Sequence, residues 1–551
     1  MLCAALAMAS AAGIWANTTV RRQVSIAMVV LLMALITANR SQKLIDVVYA
    51  KGSLDGYLFS EFARWNAISR VQVSTRGGLE KWAEIDADAN TLILNADPQD
   101  PKTISYVKKW APSSAIPSLL RPAGKYAVIG PGGGIDILAT LVGGSPDVVR
   151  EGRSWIRGDD ENYDVIQITL VDTWASTSAG AFALSENNLY TVEAFREYFD
   201  HLKSDGFLAI TRWEFPQPRE ALRVVSVAIE ALRRSGIEDV RKHFFILANG
   251  RLDETGRQVT VLTKKTAFTI DEERTVLKEV QRNSRLYPLY TPNVYGRPDR
   301  NSTCDASVSV GTDGNCIERS LAQLAETRVL RPETTEPFQQ LIGLPSRQLV
   351  DVNVDPRGKF IRDYPFEITP VTDNAPFFFF TFKASHALHA LLANSGDART
   401  DWKNNLGLVV LGAGLVISII TVSGFRVVPL ALHKTPHKPP ITPLLYFVVI
   451  GLGFIVMEIV MIQRFVLFLG HPTYAMTVAS RYWFKETLSV RAVLGAIVGL
   501  VTLYAFALHT VLGVLVAMSF PQKVVLSAIL LAPLGFLMLC AGYPTGAKFR
   551  P

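Results

Sequence analysis

Apolar positions along this chain are grouped, and their period changes from one stretch to the next. Between residues 121 and 270, short apolar runs alternate with helical spacing. Residues 126–129 read as a buried strand that ends in Gly130, Gly132, Gly133 and Gly134, after which the pattern is helical as far as Leu141. Residues 163–172 form a second buried run, 189–202 a helix, 201–206 a turn and 207–211 a third strand. A helix over 217–234 places Leu222, Val225, Ala228 and Leu232 on one face, and 243–247 with 258–263 read as a closing antiparallel pair. Strands that alternate with helices predict a doubly wound α/β sheet. A strand, a glycine turn and a helix in succession bring backbone N–H groups close to a nucleoside or nucleotide, because side chains at the glycines would block the approach. The same turn also occurs in sheets that bind nothing.

Outside this block the pattern differs. Residues 40–120 are a lead-in with strand-like stretches at 68–74 and 91–95. Residues 271–400 are rich in Pro, Arg and Asp and weakly periodic, which predicts an irregular extension with a few helices such as 318–326. The ends are apolar. The runs 406–422, 444–469, 492–518 and 524–540, with a shorter one at 24–38, approach the length needed to cross about 30 Å of hydrocarbon. Residues 1–39 and 401–551 are therefore expected to be transmembrane, with the apolar stretch 2–16 read as a weak first span in preference to a signal peptide. Within the second of these C-terminal runs Glu458 sits mid-span, followed by Gln463 and Arg464; a role in a substrate or proton path and a structural hydrogen bond between helices both account for it.

With 551 residues the chain exceeds one compact core. A net charge of +7 raises nucleic-acid binding as a class, but many basic residues flank the apolar runs and do not cluster with aromatics, which argues against it. Arg40, Lys43, Lys51, Lys383 and Arg399 belong to the more basic flank, on the side of the α/β block, which predicts a plasma-membrane protein with that block in the cytoplasm and a lipid bilayer as partner. Of the cysteines, Cys3 and Cys540 lie in apolar runs, and Cys304 and Cys316 are read as two free thiols in a polar loop. Without CxxC spacing or a nearby His pair, no metal site is predicted.

The segments VIGPGGGIDIL, YDVIQITLVDTW, ENNLYTVEAFREYFDHLKSDGFLAITRW and TDNAPFFFF together resemble the membrane-embedded, spermidine-synthase-like branch of the S-adenosylmethionine-dependent methyltransferase superfamily. The resemblance covers about 45–270 and returns at 364–380 and 451–474. It implies an α/β Rossmann-like methyltransferase domain combined with α-helical transmembrane segments. It also implies S-adenosylmethionine or decarboxylated S-adenosylmethionine as co-substrate, and a small-molecule amine or another acceptor. Carried over by residue, Gly130, Gly132 and Gly134 contact the nucleoside. The family's acid at the end of the second strand holds the ribose. Here that strand and its helix look deleted, and Asp147 and Glu151 are the stand-ins, or else solvated loop charges. The family's pair of aspartates on the later strand falls on Thr169 and Asp172, so only Asp172 can orient an amine, or else it caps the turn toward Trp174. The family's acidic position in the glycine turn is Gly133. Glu186 is a candidate for a polar wall. These departures leave open a protein that keeps the fold as a catalytically degenerate membrane scaffold or transporter-like component.

Overall fold

The computed structural model describes residues 60–65, 70–75, 80–85, 89–150, 152–158, 160–171, 187–253, 256–292, 332–344, 355–383 and 406–424, with isolated positions near both ends. The chain divides into two compact units, 1–95 and 96–551.

The first unit is an antiparallel meander of β1 (Ser60–Trp65), β2 (Arg70–Thr75), β3 (Glu80–Ile85) and β4 (Ala89–Leu94). The alternation expected around 68–74 is present in β2, but its buried positions are polar. Arg70, Gln72 and Ser74 are covered, and Gln72 Nε2 and Ser74 Oγ both donate to the buried carboxylate of Glu84 on β3.

The second unit opens with α1 (Pro101–Trp110) and α2 (Pro112–Leu120). Both start on a proline, where the missing N–H costs nothing. A seven-stranded sheet follows in the order β11-β9-β10-β8-β7-β5-β6. Its strands are β5 (Lys125–Ile129), β6 (Asp147–Arg150), β7 (Tyr163–Thr169), β8 (Leu202–Glu214), β9 (Phe244–Asn249), β10 (Arg257–Thr263) and β11 (Leu286–Tyr290). The first four are parallel; β10 runs antiparallel between β8 and β9, and β11 antiparallel to β9.

Alternate residues of these strands feed two cores. Ala127, Ile166, Leu208 and Ile246 pack with α5 (Val192–Asp200) and α6 (Glu220–Arg234) on one face. Tyr126, Val165, Phe207 and Phe245 pack on the other with Ile116 of α2 and Val276 of α7 (Ile270–Arg282). The doubly wound sheet expected from the alternation is thus present.

Local departures have physical causes. The turn expected at 201–206 is absorbed into β8 as a bulge: pairing with β7 jumps from Tyr163↔Leu202 to Val165↔Phe207. Gly206 is required there, since a Cβ would lie 2.7 Å from the Tyr163 carbonyl oxygen. The second strand, expected to be missing, has its place filled: Asp147–Arg150 pairs in parallel with β5 on the side away from β7. In the weakly periodic extension, Thr269 and Glu272 form a reciprocal capping box that starts α7. Further on lie α8 (Pro332–Gly343) and α9 (Pro356–Asp363). The predicted helix at 318–326 and the loop bearing Cys304 and Cys316 lie outside the described residues.

The segment 364–383 docks back on α5 and α6. Arg223 of α6 donates to the carbonyls of Thr369, Phe377, Phe378 and Phe380. Asp373 takes both Arg153, which opens the short helix α4 (Arg153–Ile156), and the Thr191 hydroxyl, while Phe378 stacks on Tyr190 at 4.5 Å. The aromatic run TDNAPFFFF is therefore core at Phe378 and Phe379, under α5 and α6.

The expected combination with transmembrane helices is corrected. Among the described residues no helix is long and apolar enough to cross a membrane. The run at 406–422 does form α10 (Leu406–Val422), with 17 residues. Most of the runs at 24–38, 444–469, 492–518 and 524–540, together with Glu458, Gln463 and Arg464, lies outside the described residues. The orientation drawn from flanking basic residues thus has no described spanning helix to rest on.

Candidate functional site

The carboxyl ends of β5, β6, β7 and β8 lie along one edge of the sheet, the edge at which open α/β sheets take ligands. β5 ends there in a turn of unusual conformation. Gly130, Gly132 and Gly134 have φ of 64°, 53° and 89°, all in the left-handed region. Gly134 is the N-cap of α3 (Ile135–Val142). The glycines serve different needs. A Cβ on Gly130 would lie 2.7 Å from Val171 Cγ1, so the turn and the end of β7 touch with no room between them. A Cβ on Gly134 would meet nothing within 4 Å, so the turn opens to free space at the start of the helix. Helix N-termini offer unpaired N–H groups and a partial positive charge to whatever fills such a space.

β7 ends beside it. Thr169 is its last residue, and Leu170 follows with φ of 48°, its N–H bonded to the Thr211 carbonyl of β8. A leucine held in the left-handed region stores strain, and such residues gather at ligand sites. Beneath the turn lies a buried polar cluster. Asp136, in the first turn of α3, is 2% exposed and accepts Gln167 Nε2 from β7 at 2.9 Å. Burial pushes its carboxyl up to about 6, against the pull of nearby Ser114, Thr169 and Gln167. Gln167 Oε1 and Thr169 Oγ1 are buried without an aligned hydrogen bond. Sequence reasoning passed over Asp136; the available signal was an acid two residues beyond the last glycine, at a helix position where the apolar pattern demands burial.

The turn thus brings together Gly130, Gly132 and Gly134. Asp147 is excluded as a ribose acid, because it opens β6, pairs with Lys125 and sits at the opposite end of the sheet. Glu151 follows the last residue of β6 in sequence, but Glu151, Asp172 and Glu186 themselves lie outside the described residues. Among the described residues no group of His, Cys, Asp and Glu is placed to hold a metal.

No family model matches the chain, and no curated protein matches it. Solved structures do. The chain is similar to spermidine synthase from Thermotoga maritima, at 14% identity over 48% of this chain and 88% of that one, with a TM-score of 0.24. A spermidine synthase in complex with the transition state analogue AdoDATO matches at 14% identity over the same shares, with a TM-score of 0.23. A "probable spermidine synthase" from Corynebacterium glutamicum ATCC 13032 matches at 12% identity over 46% of this chain and 98% of that one, with a TM-score of 0.28.

Further along the edge, β8 contributes charged groups that are already spoken for. Arg212, 2% exposed, donates to Glu220 and to the Tyr190 hydroxyl and lies over the Phe379 ring. Glu214 accepts the backbone N–H groups of Phe215, Arg219 and Ala221, and so fixes the loop that leads into α6; burial drives its carboxyl up to about 8 against these donors. Both serve the attachment of α6.

Proposed function

We propose that this chain is a group transferase that takes S-adenosylmethionine or its decarboxylated form at the glycine turn and passes a methyl or aminopropyl group to a small-molecule acceptor, an amine foremost. The observation that carries this reading is the run of left-handed glycines between β5 and α3, with open space at Gly134. In such a transfer the acceptor's lone pair attacks the carbon bound to the sulfonium, the C–S bond breaks to leave a neutral thioether, and the acceptor loses a proton. The residues assigned to the nucleoside are Gly130, Gly132 and Gly134, with Glu151 toward the ribose; Asp172 is assigned to the acceptor.

Isothermal calorimetry on the purified full chain, with both nucleosides side by side, tests this. Binding is expected for at least one, and Gly132→Val should abolish it. Failure of both nucleosides to bind at millimolar concentration overturns the reading. For transfer itself, Asp172→Ala should cost about 1.5–3 kcal/mol, the worth of a hydrogen bond to a charged group, or about a 10- to 150-fold loss of rate. A second reading is favoured by Thr169, which is uncharged where the resembled family carries an acid: the fold binds the nucleoside without transferring from it. Binding without turnover on any amine would select it.

A further inference from the structure

The cluster beneath the glycine turn has one acceptor too many. Gln167 Nε2 donates to Asp136 Oδ1, yet Gln167 Oε1, on a residue only 1% exposed, has no donor. An unsatisfied buried acceptor is costly, and a side-chain amide facing a carboxyl group has a ready remedy. If the carboxyl carries a proton, its O–H can donate to the amide oxygen while its other oxygen accepts the amide N–H. Among the described residues the groups that face Asp136 are uncharged: Ser114 from α2, and Gln167 and Thr169 from β7. Within α3, Thr140 bonds only the backbone carbonyl of Asp136. None of these neighbours supplies a positive charge to hold the ionised form.

We propose that Asp136 and Gln167 form a proton-operated latch that ties the first turn of α3 to β7 and so sets the geometry of the glycine turn. With the proton on Asp136, both atoms of the Gln167 amide are satisfied and the turn is held in its ligand-binding form. When the proton passes to solvent, the carboxylate faces Gln167 Oε1 as a second acceptor and the tie loosens. Asp136 acts here as a positioning residue. The coupling to ligand rests on the nucleoside reading above; the latch does not. Burial raises the Asp136 carboxyl in the direction the latch requires.

The test compares the full-length wild type with Asp136→Asn, whose amide reproduces the protonated pair and cannot titrate. Asp136→Ser serves as a second non-titrating variant should the first fail to fold. Thermal midpoints are read without ligand from pH 4.5 to 8. The wild type is expected to lose stability relative to the variant as pH rises from the ordinary carboxyl pKa of about 3.9 toward about 6, and the gap should level off once the folded carboxyl is ionised above that. A gap that stays constant over this range overturns the latch. Affinity for S-adenosylmethionine and for its decarboxylated form is then measured over the same range. The ratio of wild-type to Asp136→Asn affinity should fall with rising pH, by at most about tenfold per pH unit for one proton. A constant ratio overturns the coupling to the turn. Absence of binding by both proteins at every pH overturns the nucleoside reading instead, while the ligand-free midpoints still decide the latch.

Discussion

At the scale of single residues, the glycines of the turn are separable by what surrounds them. Gly134→Ala meets open space and should cost only the left-handed backbone, about 1–2 kcal/mol. Gly130→Ala carries the same backbone cost and also drives a Cβ into Val171, which adds about 1–3 kcal/mol of overpacking. Urea denaturation of the two variants checks the order; a greater loss at Gly134 would mean that the turn is not held against β7 as described. The glycines were legible in the sequence because a run of them between an apolar stretch and a helical one marks a tight strand-to-helix turn. Asp136 was not, because nothing in a linear pattern says that an acid beyond the turn will face Gln167 and Thr169 across a strand. The assignment of Asp147 failed for a related reason: nearness in sequence to the expected position says nothing of which end of a strand a residue occupies.

Among elements, the tie between 364–383 and α5 can be read through its charges. Burial alone pushes the Asp373 carboxyl up, but hydrogen bonds from Arg153 and Thr191, with the Arg153 charge, outweigh it and hold the group below the ordinary carboxylate range. A lowered carboxyl contributes stability that is present above its ordinary pKa of about 3.9 and is lost as pH falls through its folded value. Asp373→Asn should therefore cost about 1.5–3 kcal/mol near neutrality. That deficit should shrink below about pH 4, because the wild type then loses the same interaction. Chemical denaturation of both proteins at pH 7 and pH 3.5 measures it; an undiminished deficit at pH 3.5 would show that the charge on Asp373 is not what ties the segment down. The strands and helices of the α/β block were legible because buried parallel strands are continuous apolar runs. The bulge in β8 was not. Ser204, Asp205 and Gly206 have turn composition, and only the pairing with β7 shows that the strand runs through them. Nor was the edge strand β6, since four residues are too few to set a period.

At the largest scale, the second unit holds itself together across long stretches of chain. β11 closes the sheet beside β9, α8 packs on α6 and β11, and Arg223 grips carbonyls 146 to 157 residues away. This long-range closure was the least visible level in the sequence, where 271–400 showed little period. The apolar ends marked out there did not yield, among the described residues, a helix fit to span a bilayer. The docking of 364–383 has a consequence for the continuity of the polypeptide. Pieces that meet through a buried guanidinium, an ion pair and stacked rings do not depend on the peptide bonds between them to stay in place. A site for a specific protease placed between 292 and 332 should yield two fragments that elute together on size exclusion and separate only in denaturant. Independent elution would show that the peptide connection, and not the contact surface, keeps the two parts joined; co-elution would make this a protein whose integrity survives a cut, assembled as two chains are.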